Sequence, residues 1–193
     1  MRCFLGIGLP ELAQDAVERI QEHLRSGRHV DPENLHLTLA FLDDQDVQTL
    51  EALNEECTAL SLPAFDLRLA GLETFGPDDR PRAVVLRAEG GPELKALRDW
   101  CRGAARRAGI DLPRERFRPH VTLARFRRDT EPRDLDRLGR FLQSHGDTAV
   151  APFRVGAVTL FRSHLGPDGA EYEVLAEYPL RPVPAGVEGA GAS

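Results

Sequence analysis

Lysine is nearly missing from this 193-residue sequence: of its 25 basic residues only Lys95 is not an arginine. Cysteine is scarce too. Cys3, Cys57 and Cys101 are odd in number, far apart and in no CxxC pair, which excludes a disulfide framework and a zinc knuckle and fits a reducing cytoplasm. No stretch approaches the roughly 18 consecutive apolar residues that a membrane-spanning helix needs. The opening MRCFLGIGLP has one arginine and a short apolar run, but Glu11 and Asp15 follow at once without a small-residue cleavage pattern, so no secretory signal is expected. Neither GxGxxG nor a P-loop occurs, and nucleotide-driven chemistry is not indicated. At 41% hydrophobic and 29% charged residues the chain is neither collagenous, coiled-coil nor wholly disordered. Its length suits one large domain or two small lobes.

Charge is more informative locally than globally. The formal net charge of −6 gives no prior for nucleic-acid binding. Arg114–Arg128, however, carries six arginines against the single Glu115. This segment is expected to contact phosphates if a phosphate chemistry lies beside it.

Periodicity and turn residues predict alternating strands and helices. Strands are expected at Arg2–Gly8, Leu35–Leu42, Phe65–Glu73, Ala83–Ala88, His120–Phe126, Pro152–Phe161 and Glu171–Tyr178, and helices at Pro10–Arg25, Asp46–Leu60, Pro92–Ala108 and Pro132–His145. Turns fall at Asp31–Asn34, Gly76–Asp79 and Gly166–Gly169. Residues 181–193, rich in Pro, Gly and Ala, read as a disordered tail behind one domain spanning residues 1–180. The chain also repeats itself. HLTLAF at His36–Phe41 aligns with HVTLAR at His120–Arg125, each entered through a proline-containing turn and followed by a helix. The duplication predicts an α+β architecture of two similar lobes sharing a cleft.

Side chains alternate across a strand, so His36 and Thr38 share one face, as do His120 and Thr122, with Leu37, Leu39, Val121 and Leu123 turned the other way. A pseudo-twofold would bring two imidazoles and two hydroxyls to one cleft. Such a set suits metal-free cleavage of a phosphodiester, because imidazole, with an ordinary pKa of ~6.5, can serve as acid in one copy and base in the other. Threonine hydroxyls can donate to non-bridging phosphoryl oxygens, and an arginine can add a charge-assisted contact. A zinc site lacks ligands on either strand. His23, His29, His145 and His164 read as solvated or capping residues, and the three cysteines as apolar-face residues rather than nucleophiles.

PENLHLTLAFL at Pro32–Leu42, FRPHVTLAR at Phe117–Arg125 and LFRSHLGPDGAEYEVLAEYPL at Leu160–Leu180 resemble the bacterial and archaeal RNA 2′,3′-cyclic phosphodiesterases, formerly called 2′-5′ RNA ligases, of the 2H phosphoesterase superfamily. The resemblance runs from the first strand to about Leu180 and rests on the paired HxTx signature. It implies a bilobal, pseudo-twofold 2H phosphoesterase fold with antiparallel sheets lining a central cleft and helices outside. It further implies hydrolysis of an RNA terminal 2′,3′-cyclic phosphate to a 2′-phosphate without metal or nucleotide cofactor. The protein is expected to be a cytoplasmic monomer acting on RNA ends, tRNA fragments or small cyclic nucleotides and not on membranes. By the same resemblance His36 is the proton donor, His120 the proton acceptor, and Thr38, Thr122 and Arg125 bind phosphate.

Two features depart from simple expectation. Strict alternation puts Arg125 opposite His120 unless the strand bulges or ends near Ala124, and Leu42-Asp43-Asp44 stands where the family continues Leu-Gly. The acidic turn with Asp31 and Glu33 is expected to keep His36 protonated if those charges lie near its ring, and neighbouring arginines to lower the pKa of His120. The same groups would also support 2′-5′ ligation, the reverse reaction. A non-catalytic RNA- or nucleotide-binding module is the remaining alternative. Phe4, Phe41, Phe117, Phe126 and Phe161 are candidates for stacking on bases.

Overall fold

A computed structural model describes residues 1–166 and 169–183. Its elements in chain order are β1 (Arg2–Gly8), α1 (Glu11–Gln21), β2 (Arg28–His29), β3 (His36–Asp44), α2 (Val47–Thr58), β4 (Phe65–Phe75), β5 (Ala83–Glu89), α3 (Gly91–Arg107), β6 (His120–Arg125), α4 (Pro132–His145), β7 (Ala149–Val155), β8 (Ala157–Gly166) and β9 (Gly169–Pro179). The strands pair antiparallel in the order β7-β4-β5-β6-β3-β1-β8-β9, with β2 added beside β6. The order divides into two four-stranded halves that meet where β3 touches β6. That junction is one residue pair, Leu37 with Val121.

The duplication seen in HLTLAF and HVTLAR extends to whole units, because β1–α1–β3–α2 recurs as β5–α3–β6–α4. The helices cross between halves: α1 follows β1 yet packs on β6 and β7, while α3 follows β5 yet packs chiefly on β3 of the other half, with a smaller contact to β4 of its own. Each half is therefore held by a helix connected to the other, and the apolar side chains form a continuous core from Leu5, Ile7 and Leu37 to Leu86, Val121 and Leu138. Among the described residues no helix is long and apolar enough to cross a membrane.

Three expected elements differ. Pro152–Phe161 is not one strand: β7 begins at Ala149 and pairs with β4, then the chain passes Gly156 and β8 pairs with β1 in the other half. Buried Val155 and Val158 flank a glycine with open space around it, so the apolar pattern runs on while the backbone changes partner. The helix expected to reach Arg25 ends at Gln21, whose buried amide donates to both Val30 O and Leu123 O at 2.8 Å. His29, expected in a loop, lies in the short strand β2 beside Ala124. The Arg181 end of the supposed tail is anchored by backbone bonds to Leu62 and Ala64. Residues 184–193, and Pro167 and Asp168 of the last turn, lie outside the described residues.

Gln21→Leu keeps the volume but removes both donors from buried carbonyls. It should destabilise the protein by about 1–3 kcal/mol. Urea unfolding at neutral pH checks this, and an unchanged midpoint would show that water reaches those carbonyls.

Candidate active site at the strand junction

The single junction pair has a large geometric consequence. In an antiparallel register centred on Leu37 and Val121, His36 lies across from Thr122, and Thr38 across from His120. Each histidine thus faces the threonine of the other repeat. All four side chains are half-buried, on the face opposite the buried Leu37, Leu39, Val121 and Leu123.

Both strands bulge at the same place. Along β6, Val85 pairs with Thr122 and Val84 with Ala124, leaving Leu123 as an extra residue; along β3, Gly6 pairs with Thr38 and Leu5 with Ala40, leaving Leu39 extra. Two successive residues then point into the core, and the next one returns to the open face. On β6 that residue is Arg125. The bulge resolves the conflict between strict alternation and the expected place of Arg125, which shares the exposed face of His120 and Thr122. On β3 the equivalent residue is Phe41, 51% exposed. Asp43, in the Leu-Asp-Asp sequence, adopts φ 55°, the left-handed conformation that glycine would supply most easily and aspartate tolerates.

Each imidazole is fixed in the same way. Nδ1 of His36 donates to Asn34 O at 2.7 Å, and Nδ1 of His120 donates to Arg118 O at 2.6 Å. A carbonyl can only accept, so in the neutral ring the proton sits on Nδ1 and the Nε2 lone pair is left free. The Asn34 side chain completes the support by accepting from Tyr172 N–H at 3.0 Å.

The two rings have different neighbours. His36 packs between Phe4, centroid distance 4.6 Å, and the edge of Tyr172, 4.8 Å. Burial dominates its electrostatics: its pKa is pushed down to about 4, with a partial rise from the Asn34 carbonyl and further lowering by the charges of Arg125 and His120. The expectation that Asp31 and Glu33 keep His36 protonated is overturned. Both carboxylates are exposed, and neither contributes to its shift. His120 lies against Phe75 at 4.4 Å, and its pKa is lowered, first by burial and then by Arg118 and Arg125, against rises from the Arg118 carbonyl and Glu73.

Thr38, Phe41, Phe75, Phe117, Arg118 and His120 line one cavity of about 190 Å³. Phe41 also borders an adjoining cavity of about 400 Å³ with Phe4, Arg125 and Tyr172. Of the five candidate stacking rings, Phe41 and Phe117 are accessible; Phe126 is buried in the core, and Phe4 and Phe161 are buried against each other and the His36 ring. Phe75 and Tyr172 were not anticipated. A conspicuous signal could have found Tyr172, an aromatic in a strand predicted to close the sheet, whereas Phe75 lies beyond the expected end of its strand. The arginine run divides around His120: Arg118 stacks on Phe75 at 4.2 Å and pairs with Glu73 at 2.9 Å, while Arg125 occupies the other side.

The cysteines are buried, and burial pushes the Cys57 thiol up to about 12 and that of Cys101 upward too, which removes them as nucleophiles at neutral pH. Among the described residues no group of three or more His, Cys, Asp or Glu side chains could hold a metal ion.

Residues 9–167 match the sequence profile of the 2′-5′ RNA ligase superfamily. The chain is 32% identical over 149 residues to an Aeropyrum pernix protein named RNA 2′,3′-cyclic phosphodiesterase, covering 77% of this chain and 83% of that one. A crystal structure of a Thermus thermophilus protein superposes with a TM-score of 0.76 at 28% identity, covering 94% of this chain and 99% of the other. Escherichia coli LigT in its apo form gives 0.71 at 25% identity, covering 93% and 96%.

Titration of the ring resonances of the free protein should place the His36 midpoint near 4. A midpoint at or above 6.5 would show that its ring is solvated rather than enclosed by Phe4 and Tyr172.

Proposed function

The chain belongs to the 2′-5′ RNA ligase superfamily, and from that membership and the strand-junction geometry we propose that it hydrolyses the 2′,3′-cyclic phosphate at an RNA end to a 2′-phosphate, with two histidines and no metal. The observation that carries this reading is the single β3–β6 pair, Leu37 with Val121, which lies between the histidine and the threonine of both HxT motifs. The names of relatives across most of the chain's length support the substrate class. The RNA end, a tRNA fragment or a small cyclic nucleotide, would enter as a phosphodiester monoanion and meet the protein as a cytoplasmic monomer.

In the proposed step the Nε2 of neutral His120 takes a proton from water as the water oxygen bonds to phosphorus. The P–O3′ bond breaks on the opposite side. Protonated His36 gives its Nε2 proton to that leaving oxygen, so the products are a 3′-hydroxyl and a 2′-phosphate. Thr38 and Thr122 donate to the non-bridging oxygens, and Arg125 adds a cation where negative charge grows. The carbonyls of Asn34 and Arg118 keep the rings turned and favour the imidazolium of whichever histidine is charged.

The decisive experiment is incubation with a 2′,3′-cyclic dinucleotide in excess EDTA, with the product isomer identified by phosphorus NMR. A 2′-phosphate formed at an undiminished rate is expected. A 3′-phosphate, or activity restored only by added metal, would overturn the reading. His36→Ala and His120→Ala should each lower kcat by about 100–10,000-fold with the fold retained, and Thr38→Ala or Thr122→Ala by less.

The pH dependence has a definite sign. Productive free enzyme carries one protonated and one neutral imidazole, and both pKa values lie below 6.5. The profile of kcat/KM should therefore be bell-shaped with its maximum below pH 6.5, falling as rising pH removes the donor's proton. A plateau extending above pH 7.5 would contradict it.

A further inference from the structure

Cations lie on two sides of the cleft, and they differ in how far they are already neutralised. On the Phe117 side, Arg118 is paired with Glu73, Arg98 with Asp99, and Arg102 with Glu115, leaving exposed Arg116, which lines the cavity there, and Arg114 without an ion pair among the described residues. On the β2 side, Arg125 also lines a second cavity of about 230 Å³ with Arg28, Arg127, Asn34 and Tyr172, where Asp31 is the acidic neighbour. Arg28 is held beside Arg125 by the β2–β6 pairing. Three residues earlier in the chain, a span of at most about 11 Å, Arg25 lines a further groove of about 400 Å³ with His23, Arg137, Arg140, Ser144 and His145.

That groove is built by the residues that follow α1 and by the second half of α4. His23 and His145 stack at 4.7 Å with their planes 19° apart, and Phe141 forms the floor. Asp134 neutralises Arg137 at 3.0 Å. Among the described residues Arg25, Arg127 and Arg140 make no ion pair, and all three are exposed. In a chain of net charge −6, unneutralised cations run from the catalytic face over the β2 edge to the helical side.

We propose that this is the exit track of the RNA strand: the nucleotides upstream of the cyclic end leave the cleft past Arg125, cross Arg28 and Arg127, and set their backbone phosphates in the His23–Arg25–Arg140–His145 groove. The proposal rests on the cyclic-phosphate reading of the cleft and adds to it a direction for the polymer and a reason for preferring long substrates. Guanidinium groups bind phosphate oxygens in pairs, and release of condensed counterions drives the contact. The flat imidazole stack offers ring N–H donors, and nothing in the groove reads a base, so the track is indifferent to sequence.

The test compares a 12-nucleotide RNA ending in a 2′-phosphate, which is not hydrolysed, with a cyclic dinucleotide. In fluorescence anisotropy the double variant Arg25→Gln/Arg140→Gln should bind the 12-mer about tenfold more weakly, and its salt slope should fall by about 1.4, two phosphate contacts at ~0.7 each. Its kcat and KM for the cyclic dinucleotide should match those of the unaltered protein, which also reports correct folding. Unchanged 12-mer affinity and slope would overturn the track. So would the same loss appearing only in Arg114→Gln/Arg116→Gln, which would send the RNA out past Phe117. Shifts of the His23 and His145 ring resonances with pyrophosphate but not with the 12-mer would make the groove a small-anion site and overturn it as well. Dinucleotide hydrolysis by the unaltered protein tests the cleft reading separately, so failure of one is not mistaken for failure of the other.

Discussion

The contact between Leu37 and Val121 is the constraint on which the site depends. It is the only residue pair between strands β3 and β6, where the two half-sheets meet, and it lies between the histidine and the threonine of both repeats. Because side chains alternate, a one-residue slip of either strand would turn that strand's histidine and threonine into the core and bring its apolar residues to the cleft. The crossed helices guard against that slip: α1 grips β6 and β7 while its chain leads into β3, and α3 grips β3 while its chain leads into β6. Burial of Leu37 and Val121 in the common core and the placing of the four polar groups are thus one event.

From that junction outward the symmetry is incomplete. The twin bulges turn Arg125 and Phe41 onto the open face at equivalent positions, giving one half a cation and the other an aromatic ring. The histidines share a carbonyl partner two residues back, yet His36 is enclosed by Phe4 and Tyr172 while His120 rests on Phe75 beside Arg118. A donor whose free pKa is about 4 is mostly neutral at pH 7. An anionic phosphodiester near His36 would raise that value, so in the proposed reaction the substrate helps to charge the group that protonates its leaving oxygen.

Much of this was legible in the sequence because it was periodic. The alternation in HLTLAF and HVTLAR picked out the face that carries both histidines, and their similarity pointed to two lobes; most helices and strands fell near their expected limits. What escaped was set by tertiary pairing. Gly156 lies inside an unbroken apolar pattern, and only its partners, β4 before it and β1 after it, show that two strands meet there. The bulges that place Arg125 insert Leu123 and Leu39, residues which suit either a regular or a bulged strand. Asp31 and Glu33 are near His36 in sequence, but the turn points them to solvent and the ring into an aromatic pocket. Adjacency along the chain was a poor guide to electrostatics there.

The division of labour between the histidines is the central claim, and a change of leaving group tests it most directly. With a nucleoside 3′-aryl phosphodiester whose phenolate departs without protonation, His36→Ala should recover much of its lost kcat relative to the unaltered protein, because no acid is needed, while His120→Ala should stay slow for want of a base. Rescue of the His120 variant and not of the His36 variant would contradict the account and reverse the two roles.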